Sequence, residues 1–236
     1  MLGGRDCRKA AALASPVVEP LDPDVIAADL ELAQQMRRIV NRLVLVRPSA
    51  DELRSAAVRA REFADRLEEM PIREGSVLSE AGLLPHDHLR HSPWSGTSNV
   101  LAPPLEMWFV DGDADGPDGR RTDGTVFFDT AYEGPPGHAH GGCVAGVFDE
   151  LLGRSQLRAG FTGQLTITYR RPTPLRQRID LCAWVDRSDG RKRWVKGTSK
   201  LAGQLLCEAE GLFIAPREGA DQDGIVASLN RVARGT

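Results

Sequence analysis

One apolar run of helical period, flanked on both sides by segments of period two, narrows the fold of this chain more than any other feature. The run opens in GHAHGGCVAGVFDE, residues 137–150, and continues to about Leu157. Before it, PLEMWFVDG and TVFFDTAYEG read as two strands joined by the polar loop DGDADGPDGRRTDG. After it, FTGQLTITYRRP, RIDLCAWVDRSDG, RKRWVKGTSKLAG and QLLCEAEGLFIAP read as further strands. Leu165, Ile167 and Tyr169 alternate with Thr166 and Thr168, as a half-buried strand requires. RSDGR and LAGQ are hairpin connections between antiparallel neighbours. Strands, one long helix and more strands predict an α+β fold, a curved antiparallel sheet wrapped around a single central helix.

Upstream of that domain the pattern changes. Residues 1–22, rich in Ala and Pro, are expected to be a disordered tail, since the Ala-Leu run after Arg5, Arg8 and Lys9 is too short for a secretory signal. Residues 23–70 predict an N-terminal helical hairpin packed on the main domain or on a partner subunit. Its first helix carries Leu32, Met36, Ile39, Val40 and Leu43 on one stripe, and Leu53, Ala56, Ala57, Ala60, Phe63, Ala64 and Leu67 form one stripe of the second. Pro48 ends the first helix, Ser49 caps the second, and Glu52 completes a capping box. Residues 71–104 form an irregular connector, 105–216 the main domain, and 217–236 a C-terminal tail.

Several function classes drop out. No apolar stretch approaches the roughly 20 residues that span a bilayer. The four cysteines are scattered without a CxxC pair, which argues against disulfides or a cysteine zinc site and suits a reducing, cytoplasmic setting. HDHLRH, with His86, His88 and His91, lacks the companion ligands of a metal site and reads as a solvated loop, so no metal is expected. There is no P-loop, dinucleotide fingerprint or GxSxG. The net charge of −3 hides a local excess: residues 170–200 hold ten Lys or Arg against three Asp. A basic patch on an otherwise acidic chain suits a small anionic ligand rather than a nucleic acid.

On a helical wheel, Val144, Val147, Phe148 and Leu151 share the face expected to meet the sheet. Gly142, Ala145, Gly146, Asp149 and Gly153 form an adjacent face of small residues, open to another backbone, and Glu150 points to solvent near Arg154. The HGG turn starts the helix with free N–H groups and a positive dipole end, which suits a developing oxyanion. Asp149 lies about 12 Å further along the axis, too far for both to reach one carbon. Two such helices antiparallel across a two-fold axis would bring Asp149 of one to Gly141 of the other, which predicts a homodimer. The same residues also fit an ordinary exposed Asp and a glycine helix start.

YEGPPGHAHGG, FDELLG and FTGQLTITYRRPTPL strongly resemble the hotdog-fold acyl-CoA thioesterases of the phenylacetate-pathway type. The similarity is greatest to the branch of mitochondrial long-chain acyl-CoA thioesterases, and it covers about residues 98–216. The resemblance implies a hotdog fold and hydrolysis of acyl-CoA to a free acid and coenzyme A, without a cofactor. It assigns the oxyanion N–H to Gly141, the turn histidine to His140, the helix acid to Asp149 as base or nucleophile, and its companion hydroxyl to Thr162. Coenzyme A phosphates would fall to the Gly142 turn and to Arg170 and Arg171, with Lys192 and Lys196, beside Arg191 and Arg193, as further candidates. A homodimer, or a dimer of dimers, is implied, with neither nucleic acid nor stable membrane insertion. The rivals are a hotdog enoyl-CoA hydratase or dehydratase, against which Thr162 in place of a second acid argues, and a non-catalytic acyl-CoA-binding protein.

Overall fold

The computed structural model describes residues 22–71, 90–111, 120–156 and 160–215. The expected terminal tails, His86 and His88 lie outside these ranges.

The central helix forms where the period predicts it. Helix α3 spans Gly141–Arg154, with His140 as its N-cap and Ser155 as its C-cap. Val144, Val147, Phe148, Leu151 and Leu152 are its buried residues. They pack against Ile179, Leu181, Ala183, Val185, Val195 and Phe213 from the sheet. Each such side chain contributes about 1.5–3 kcal/mol on burial, which holds together a helix too short to persist alone in water.

The sheet has strands β1 (Leu105–Asp111), β2 (Arg120–Phe127), β3 (Phe161–Tyr169), β4 (Arg178–Asp189), β5 (Lys192–Leu201) and β6 (Gln204–Ile214). Their spatial order is β1-β2-β4-β5-β6-β3, and every neighbouring pair is antiparallel. The chain therefore leaves β2, crosses the sheet face through α3, lays β3 on the far edge, and returns to β4 beside β2. Register irregularities at Thr162/Gln164, Val185/Arg187 and Ser199/Lys200 bend three of these strands.

Two boundaries differ from the sequence reading. β2 begins at Arg120, inside the segment read as polar loop, because Arg121 to Phe127 find partners along β4 from Trp184 to Arg178. Residues read as the end of that strand instead make a 3-10 turn, Thr130–Tyr132, started by Asp129, whose carboxylate accepts the Thr130 N–H.

The N-terminal helices are α1 (Pro23–Leu43) and α2 (Ala50–Glu68), and the Ser49–Glu52 capping box is present. Helix α1 docks through polar groups rather than through its apolar stripe. Arg37 donates to the carbonyl oxygens of Gly96, Thr97, Asn99 and Ala102, and Asn41 accepts from Thr130 and Ala131. Leu32, Ile39, Val40 and Leu43 stay exposed, and α2 has no buried residue. No described helix is long and apolar enough to cross a membrane.

Candidate active site

Thr162 and Tyr169 stand near the two ends of β3; Thr162 binds Asp149 in the third turn of α3, and Tyr169 binds the first residue of that helix. The Thr162 hydroxyl donates to Asp149 Oδ1 at 2.9 Å. Tyr169 Oη donates to the Gly141 carbonyl oxygen at 2.7 Å. This edge strand thereby fixes both the helix acid and the first residue of the helix. Tyr169, on the face of β3 expected to be half-buried, is 51% exposed, with its ring against Gly141 at the start of α3. Partial burial still raises its phenol pKa.

The turn that starts α3 is held from three sides. His140 N–H donates to the Tyr132 carbonyl at 2.8 Å, and Ala139 N–H to that of Thr173. His140 Nδ1 accepts the Gly142 N–H at 3.0 Å, so the neutral ring carries its proton on Nε2, facing outward from an exposed residue. Gly142 N–H is thus already engaged. The His140 carbonyl accepts from both Cys143 and Val144. That polarises the peptide unit whose N–H belongs to Gly141 and makes it a stronger donor. Among the described residues, the Gly141 N–H has no acceptor.

The face of small residues divides in two. Gly146 is filled from within the chain: a Cβ there would overlap the ring of Trp94. Glu150, expected in solvent, is mostly buried under the connector, where it accepts from Ser92 and Ser95 and lies 3.5 Å from Arg154. The connector reaches α3 because residues 90–104 are gathered by Arg37 into a compact turn that sequence alone reads as irregular. Gly142 is exposed and Asp149 half-buried on the other side, where Asp149 meets β3.

The basic candidates are dispersed. Arg170, just past Tyr169, pairs with Glu208 at 2.6 Å, and Arg171 donates to the Leu205 carbonyl. Both lie at the Gly141 end of the site. Lys192 lies across β6 from Phe161, at the other end. Lys196 projects from the outer sheet face, since its neighbours Val195 and Gly197 pack inward, and pairs with Asp186 at 3.0 Å. Arg191 donates to the Ala215 carbonyl.

Burial raises the thiol pKa of Cys143, Cys182 and Cys207, that of Cys182 to about 11, so none is poised as a nucleophile. No described cluster of His, Cys, Asp and Glu is arranged to hold a metal. Sequence reasoning missed Tyr169 as a site residue; the available signal was an aromatic at a strand end beside a glycine helix start.

No family model matches the chain. It is 34% identical over 86 residues to acyl-coenzyme A thioesterase THEM4 of Mus musculus, and 40% identical over 87 residues to that of Xenopus laevis. These matches cover 35% of the chain and 37% and 39% of the relatives, so the chain spans well under half the length of either. A crystal structure of a thioesterase superfamily protein matches with 33% identity and a TM-score of 0.66, over 79% of this chain and 90% of that one.

Proposed function

Because the chain belongs to the thioesterase superfamily, we propose that it is a hotdog-fold hydrolase that cleaves acyl-CoA thioesters to a free acid and coenzyme A. The observation that carries the reading is the pair of preset groups on α3: Asp149 oriented by Thr162, and an open Gly141 N–H. They stand about 12 Å apart along one helix, so the working site joins Asp149 of one subunit to Gly141 of another. β3 supports that homodimer, because it is a sheet edge with Phe161 65% exposed and carries Thr162 and Tyr169 along the same border.

In the general-base form of the reaction, Asp149 takes a proton from water as the water oxygen bonds to the thioester carbonyl carbon. Thr162 occupies Oδ1 and leaves Oδ2 for that proton. The Gly141 N–H binds the oxyanion, aided by the helix dipole. Collapse breaks the carbon–sulfur bond, and the proton passes from Asp149 to the departing thiolate. In the nucleophilic form, Asp149 bonds to the carbonyl carbon itself, the carbon–sulfur bond breaks to release coenzyme A thiolate, and water then cleaves the resulting anhydride, its proton going to the thiolate. Single turnover in ¹⁸O-water separates them, since hydrolysis at the Asp149 carbon leaves label in the protein only by the second route. Arg170 and Arg171, at the Gly141 end, are the proposed contacts for coenzyme A phosphates.

The deciding assay follows thiol release from short, long and aromatic acyl-CoAs. The parent hydrolyses at least one of them, and Asp149→Asn lowers kcat by about 100-fold or more while remaining folded. Tight acyl-CoA binding without thiol release by the parent would instead indicate a binding protein.

A further inference from the structure

On the opposite edge of the sheet from β3, α1 and the segment around residues 95–106 enclose an open groove of about 1270 Å³. One stripe of α1 lines it, with Leu30, Gln34, Arg38 and Arg42 at helical spacing, followed by Leu45 just past the helix end. Leu105, Phe127, Thr130 and Arg176 form the facing wall. Leu30, Pro103, Pro104, Leu105 and Phe127 give the groove an apolar stretch, and beside Arg37 it carries three further guanidinium groups, those of Arg38, Arg42 and Arg176.

Those guanidiniums are not committed to the fold. Among the described residues, Arg38 and Arg42 make no ion pair or hydrogen bond. Arg176 has only Asp129 nearby, at 4.0 Å, and that carboxylate oxygen already accepts the Thr130 N–H. Neighbouring Arg37 behaves differently, donating to four backbone carbonyls. Of the other lining acids, Glu106 lies 3.7 Å from Arg178, and Glu31 sits two turns away from Arg38 toward the start of α1.

Arg176 adds a second observation. Its φ of 58° puts it in the left-handed region, where a glycine would rest without strain, and its N–H is held there by the Phe128 carbonyl at 2.8 Å. A long cationic side chain thus occupies a position that local backbone energetics would give to glycine. Among the described non-glycine residues Ala202, in the β5–β6 turn, shares that conformation, but Arg176 is the one that brings a charged side chain to the groove.

We propose that this groove binds an amphiphilic carboxylate, its head on Arg38, Arg42 and Arg176 and its chain along Leu30, Leu105 and Phe127. Guanidinium forks match a carboxylate in geometry and charge, and the apolar walls take up methylenes. The site shares no residue with Asp149, Thr162 or Gly141, so it stands independently of the hydrolytic reading and is measured without turnover.

Calorimetric titration of the chain with dodecanoate tests it. One molecule binds per chain, and methyl dodecanoate and acetate each bind at least about tenfold more weakly, having lost the charge or the chain. The Arg38→Gln, Arg42→Gln double variant binds dodecanoate about tenfold more weakly at an unchanged Tm. Arg176→Gly also weakens binding, yet its Tm equals or exceeds the parent's because the strain is gone. Equal binding of acid and ester overturns the proposal, as does parent-like binding by the double variant. If the double variant fails to fold, Arg176→Gly decides alone, and undiminished binding there overturns it.

Discussion

Thr162 and Tyr169 each hold a residue of α3 through a solvent-accessible hydrogen bond, so removing either hydroxyl should change rate more than stability. Such bonds contribute about 1 kcal/mol to folding. Thr162→Val is expected to lower kcat about tenfold with little change in KM, because the carboxylate loses its orientation but not its charge. Steady-state kinetics beside a thermal melt checks both halves. Gly141→Ala is a sharper probe. The nearest Tyr169 atoms would be 3.4 Å from the added Cβ, an ordinary contact, so the variant should melt like the parent. Its kcat/KM should nevertheless fall about tenfold or more, since a methyl group there blocks approach to the N–H. Undiminished activity would remove Gly141 from the oxyanion role. Cys143, one turn into the same helix, should not matter: burial keeps its thiol protonated, and Cys143→Ser should retain activity within about twofold.

At the scale of elements, the connector and the central helix are joined by shape. Gly146 exists to admit Trp94, and Glu150 anchors the Ser92–Ser95 turn beside it. Gly146→Ala should therefore destabilise the protein by about 1–3 kcal/mol, although alanine is the better helix former by roughly 1 kcal/mol. Combining it with Trp94→Ala should cost less than the two single changes added together, because the clash is gone once the ring is removed. Urea unfolding of the four proteins measures that coupling, and strict additivity would mean the two residues do not meet. The apolar stripe of α1 behaves in the opposite way. It has helical period but meets no core, because Arg37 and Asn41 dock a different face of the helix.

At the scale of the whole molecule, the proposed shared site can be tested by complementation. Asp149→Asn and Gly141→Val chains should each be inactive. Refolded together, they should recover activity, because one of the two sites in a mixed dimer takes Asp149 and Gly141 from unaltered halves. A site confined to one chain would show no recovery. Alkaline stability is a second global property. Burial pushes the Tyr132 phenol from 10.0 up to about 12 and the Cys182 thiol from 9.0 up to about 11. The folded state then holds protons that the unfolded chain has released. Stability should thus be full below about pH 9 and fall as pH rises through the window to about 12. Tyr132→Phe should flatten the upper part of that decline, from pH 10 upward, in urea midpoints measured across the range.

What the sequence determined by itself was local. The period of residues 141–154, the cap on α2, the alternation along the strands and the hairpin signals are written in neighbouring residues, and local sterics and burial enforce them. The HGG turn, Asp149 and Thr162 were also legible, because their spacing along the chain carries a recognisable pattern. The tertiary structure alone decided what each element meets. It put Glu150 under the connector, brought Trp94 to Gly146 and set Tyr169 against Gly141. It also started β2 within a polar stretch and left an apolar helix stripe without a core. Periodicity says which side of an element is apolar, but the partner for that side comes from distant residues. Only chain closure, with its packing and hydrogen-bond demands, selects among the candidates.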